Sequence, residues 1–105
     1  MPVDAEFVSR PLDIAELLGD PEVAQHFLTE VIEGGDAQEI AEAIGVVARG
    51  MGMASVAQRT GLSRETLYRA LSQKGNPTLS TLLSVLDALG FKLQGVARVT
   101  ATAAE

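Results

Sequence analysis

Apolar residues recur at three- and four-residue intervals along most of the chain, and Gly, Pro and Asp interrupt them at regular places. Ile14 to Leu18 reads as a short turn, capped by Asp13 and ended by Gly19. Asp20-Pro21 places a cap residue before proline at the first helical position, where its missing N–H costs nothing. Val23, Phe27, Leu28, Val31 and Ile32 then keep helical spacing down to Gly34-Gly35, which predicts an amphipathic helix over 21–33. Asp36 and Glu39 form a capping-box pair before a second helix from Ala37 to about Arg49. Its apolar face is Ile40, Ala43, Ile44 and Val47, and Gly50-Met51-Gly52 stops it. Short helices are predicted at about 54–60 and 64–72, separated by Gly61-Leu62-Ser63. Pro77 or Thr78 opens a last helix with Leu79, Leu82, Leu83, Leu86 and Leu89 on one broad stripe, closed by Gly90.

Past Gly90 the period changes. Phe91, Leu93 and the run Val96 to Val99 read as a short strand in a chain that is otherwise helical. A lone strand leaves its edges unsatisfied, so the expectation is pairing with the same strand of a second copy in a symmetric homodimer.

At 105 residues the chain has room for one core, and no second domain is expected. The organisation read from it is an N-terminal arm over 1–12, a single domain over 13–99 and a flexible tail over 100–105. There is no cysteine, which excludes disulfides and thiolate zinc sites. No apolar run approaches membrane-spanning length and the first residues are acidic, so a cytoplasmic protein without membrane attachment is expected.

The charge changes this picture through its distribution. The net value of −6 would argue against a nucleic-acid partner. Yet residues 1–42 hold eleven acids and one base, whereas 43–86 hold five bases (Arg49, Arg59, Arg64, Arg69, Lys74) and one acid, Glu65. An acidic first part and a basic middle suggest two surfaces with different partners.

The basic stretch contains the chain's most informative spacing, from Met53 to Leu71. Ala57 is small where two helices cross, and Gly61 lies four residues on, where a turn requires positive φ. Leu62 plugs the joint, Ser63 caps the next helix, and Leu67 with Leu71 anchors it. This is the logic of a helix-turn-helix, and it leaves outside the side chains that read base edges and phosphates. The DNA-contact set is Ser55, Gln58, Ser63, Arg64, Glu65, Thr66, Tyr68, Arg69, Lys74 and Asn76.

On these residues the chain resembles the helix-turn-helix antidote (antitoxin) proteins of bacterial addiction modules, related to the HigA and Xre-type regulators. The resemblance covers about 20–96 and is carried by Leu18-Gly19-Asp20-Pro21-Glu22, Gly34-Gly35-Asp36, the run Gly61 to Tyr68, and Gly75-Asn76-Pro77-Thr78-Leu79. It implies an all-α fold, a five-helix Xre/lambda-repressor-like domain, here with a short C-terminal β-strand. The function it implies is that of a type II antitoxin. Such a protein binds double-stranded operator DNA, represses its own operon and neutralises a small basic RelE/HigB-like ribonuclease toxin. A stand-alone Xre-type regulator without a toxin is the alternative, and a helical adaptor binding only protein is a third. Many Xre-type domains place Gln where this chain has Met53, which shifts phosphate anchoring to Ser55, Gln58 or backbone N–H groups. Arg64 is the candidate for guanine readout, Arg69 and Lys74 are candidates for phosphate clamps, and Tyr68 is expected to be part-buried with its hydroxyl towards phosphate.

Other chemistries find little support. His26 is the single histidine and, with no cysteine, makes neither a zinc site nor a triad; it reads as a surface or boundary residue. No serine sits in a nucleophile elbow, and the carboxylates Glu30, Glu33, Asp36 and Glu39 fit capping and solvation better than acid–base work. No catalytic residue, metal or cofactor is therefore expected. Glu30 and Glu33 are instead candidates for toxin contact, because an acidic helix would attract a basic toxin.

Overall fold

A computed structural model describes residues 14–99. They form α1 (Ile14–Leu17), α2 (Pro21–Gly34), α3 (Ala37–Met51), α4 (Met53–Thr60), α5 (Arg64–Ala70) and α6 (Leu79–Ala88). The first is a single turn, so five longer helices stand where the sequence predicts five. The expected 1–12 arm, the 100–105 tail and the capping role of Asp13 lie outside the described residues.

Most helix starts follow from local chemistry. The Asp20 carboxylate accepts from the Glu22 N–H at 2.9 Å, with Pro21 opening α2. Asp36 accepts from Gln38 and Glu39 N–H groups at 2.9 and 3.0 Å. Thr78, rather than Pro77, caps α6 by accepting from the Thr81 N–H at 3.1 Å. Each bond satisfies donors that have no partner within the helix.

Helix α3 is the hub, packing against each of the other five. It buries Ala41, Ala43, Ile44, Gly45, Val47 and Ala48, small residues alternating with two larger ones so that neighbours approach from several sides. The core is completed by Leu18, Leu28, Val56, Leu67, Leu71, Val85 and Leu86. Gly45 shows how close the approach is. A Cβ there would stand 2.2 Å from the Leu71 carbonyl oxygen, so the end of α5 is seated against bare α3 backbone. At Gly52 the chain bends by 107° between α3 and α4, which carries α4 and α5 away from the hub axis. Among the described residues no single helix is long and apolar enough to cross a membrane.

The C-terminal strand expected over Phe91–Val99 is not formed; no strand occurs among the described residues. Phe91 belongs to the helix stop instead. Its N–H donates to the Leu86 carbonyl at 2.8 Å and the Gly90 N–H to that of Asp87 at 3.0 Å, the paired bonds that close a helix over a left-handed residue. Its half-buried ring packs on the core, which accounts for an apolar residue there without any strand. From Lys92 on the chain offers no second strand to pair with, and Gly95, at φ 71°, interrupts the extended run. The homodimer expected through this segment therefore has no preformed strand to use.

Candidate nucleic-acid interface

The candidate surface is built on α4, the turn 61–63, α5 and the loop to α6. The Gly61 N–H makes the last helical bond of α4, to the Ala57 carbonyl at 2.9 Å, and its φ of 77° then turns the chain out of the helix. Thr60 locks the turn from inside: its hydroxyl donates to Val56 O at 2.8 Å and accepts from the Leu62 N–H at 3.2 Å. Ser63 Oγ accepts from the Thr66 N–H at 3.0 Å and donates to Thr66 Oγ1 at 2.8 Å, fixing the first turn of α5. Leu67 and Leu71, almost fully buried, then clamp the helix to the core.

That anchoring decides what faces outward. At about 100° per residue, Arg69 projects opposite the midpoint of Leu67 and Leu71, between Glu65 and Thr66. Arg64, Glu65, Tyr68 and Arg69 are all exposed, and Lys74 and Asn76 are exposed in the following loop. Tyr68 is 46% exposed, so ring and hydroxyl share the boundary with solvent. Ser63 and Thr66 are occupied in each other's capping bonds, although Ser63 remains exposed. Ser55 and Gln58 stand exposed on α4, which packs against α5. The ten candidates thus fall on two packed helices and one loop, with Thr66 the least accessible.

Three features escaped sequence reasoning. Met53 is buried, so this position belongs to the core rather than to the outer surface. Arg59 leaves the basic set: its Nη1 donates to the Ala88 carbonyl at 3.3 Å, tying α4 to the end of α6, where the helix dipole favours a cation. The contact spans 29 positions, and no local pattern signals it. Helix α4, lastly, is capped by Gly52 with no side-chain hydrogen bond, unlike α2, α3, α5 and α6. The N–H groups of its first turn therefore have no side-chain acceptor.

The acidic candidates lie elsewhere. Glu30 and Glu33 are exposed on α2, which packs on α3. Glu33 lines a groove beside Leu86 and Phe91, whereas Glu30 is outside it. His26 is exposed on the same helix. Among the described residues no three His, Cys, Asp or Glu side chains gather as a metal site would require.

Comparison with known proteins supplies the context. No solved structure matches the chain. It is similar to an "Uncharacterized protein" of Haemophilus influenzae, 39% identical over 85 residues, a match covering 81% of this chain and 88% of that one. A family model described as "Probable addiction module antidote protein" matches residues 8–97, nearly all of the described chain. A family of antidotes implies a toxin partner of some kind, and it is to this family of addiction module antidote proteins that the chain belongs.

Proposed function

We propose that this antidote is a type II antitoxin that binds operator DNA through α4 and α5, represses its own operon and neutralises a RelE/HigB-like ribonuclease toxin. In this reading the two helices are a helix-turn-helix in an Xre/lambda-repressor-like domain, with α5 entering the major groove. One observation carries the DNA part: three of the five cations of the basic segment, Arg64, Arg69 and Lys74, stand exposed on α5, a helix anchored to the core through Leu67 and Leu71, and on the loop behind it. Arg64 reads a base, Arg69 and Lys74 hold phosphates, and the α4 first turn offers its N–H groups to a further phosphate. Ser55 lies in that turn, and Gln58 follows three residues after Ser55. Two copies of the chain would set two recognition helices about 34 Å apart on a palindromic operator. The protein then acts by binding rather than by catalysis, in the bacterial cytoplasm, and associates with the nucleoid when on DNA.

The test has two arms. The small open reading frame beside the gene is expressed with and without this chain; growth arrest, its rescue and co-purification are expected. A harmless neighbour would overturn the toxin half and leave a stand-alone regulator. Footprinting on the DNA upstream of the operon is expected to show a palindromic site. Arg64→Ala is expected to relax the preference at one base pair per half-site, costing about 1–3 kcal/mol of discrimination. Unchanged preference would remove Arg64 from the readout.

A further inference from the structure

A groove of about 630 Å³ beside α2 has no part in the DNA reading above. It runs along α2, against Leu86 and the segment that follows α6. Its floor is apolar: Leu28 and Leu86 are buried, and Ile32 and Phe91 are half-buried. The bond from the Phe91 N–H to Leu86 O holds that floor in place. Leu93 forms one lip and is 51% exposed, a large apolar side chain left facing the opening. A smaller hollow of about 190 Å³ continues past Phe91 and Leu93 to Leu83.

The other lip is acidic at both ends. Glu22 and Glu33 both line the groove and both are exposed. Eleven positions apart on a helix, they lie on one face and about 16 Å from each other along its axis. Helix α2 has no Lys or Arg of its own, and Lys92 is the one cation among the lining residues. An apolar floor under an acidic rim is complementary to a segment whose large apolar side chains are flanked by cations.

We infer that this groove docks a cationic amphipathic helix of the toxin, with apolar side chains on Leu28, Ile32 and Phe91 and two cations three turns apart against Glu22 and Glu33. This rests on the antitoxin reading for the identity of the partner, but the groove chemistry is testable without it. The geometry is helix-in-groove recognition, in which apolar anchors supply affinity and rim charges set orientation and rate. It assigns toxin contact to Glu22 and Glu33, and moves Glu30 out of the contact.

The test titrates the isotope-labelled full chain with a synthetic helix bearing leucines on one face and lysines three turns apart, followed by NMR. Saturable shifts confined to Gln25, Thr29, Ile32, Phe91 and Leu93 amides are expected. Glu22→Lys with Glu33→Lys, both at exposed positions, should weaken binding about tenfold, as should Leu93→Ser. Equal binding of the same peptide with serine for leucine would show attraction by charge alone and overturn the proposal. Concentration-dependent shifts of the same amides in the free chain would assign the groove to a second copy, with the same consequence. The neighbouring gene product separates the two readings. If wild-type chain captures it and the charge-reversed chain captures it equally, the groove proposal falls and the antitoxin reading stands. If wild-type chain captures none of it, the antitoxin reading falls, and the peptide titration alone decides the groove.

Discussion

Helices α2 and α5 dock on the same hub and differ in almost everything they leave outside. α2 is capped by Asp20, carries Glu22, Glu30 and Glu33 and has no cation. α5 is half as long, capped by a neutral serine, and exposes Arg64 and Arg69 around a single acid. The apolar faces obey one rule, because both must meet α3. The polar faces are not required by folding, since either sign solvates a helix equally well. Their segregation is therefore the part of the sequence that points to function: anions avoid the acidic half and are drawn to the basic one, whatever the net charge.

The comparison breaks most completely if the shared core is cut. Leu67→Ala, at a position with no solvent exposure, should cost about 2–5 kcal/mol and weaken DNA and toxin binding together. Chemical denaturation monitored by circular dichroism checks this. A variant that loses DNA binding at unchanged stability would mean that α5 is not held by the core. Gly45→Ala is the subtler cut, because its Cβ would stand 2.2 Å from the Leu71 carbonyl and must push the end of α5 away. A loss of about 1–3 kcal/mol is expected despite alanine's better helix propensity. A stabilised Gly45→Ala protein in the same denaturation would show that α5 is not seated on α3 as described. The smallest effect sharpens the contrast within the basic half. Arg59→Ala should cost less than about 1 kcal/mol of stability and change DNA affinity little, because that guanidinium serves the α6 carboxyl end. An affinity loss matching that of Arg69→Ala would place Arg59 on the DNA surface.

These regions also differ in how much was legible beforehand. The starts at Asp20, Asp36, Ser63 and Thr78 were readable because a cap is a contact within three residues. The helix pair around Gly61 was readable for the same reason. What required distant pieces was not. Gly45 is a helix-weakening residue within α3 until Leu71 is brought against it, and Arg59 is only one more base of the middle segment until Ala88 is. The groove joins Glu22 and Glu33 to Phe91 and Leu93 across most of the chain. Phe91 misled in the other direction. Its place in an alternating pattern suggested a strand, whereas a helix stop also draws an apolar residue two places beyond its cap, here Leu89.

The separation of charge into two working surfaces is tested most directly by the salt dependence of DNA binding. Fluorescence anisotropy on the DNA upstream of the operon would be measured over a salt series for the wild type and for Arg69→Ala with Lys74→Ala. Each cation that neutralises one phosphate contributes about 0.9 to the slope of log affinity against log salt, so the double variant should lose about 1.8. Charge reversal at Glu22 and Glu33 should leave the slope close to the wild-type value. A wild-type chain that does not bind this DNA, or a slope unmoved by losing both cations, would contradict the account.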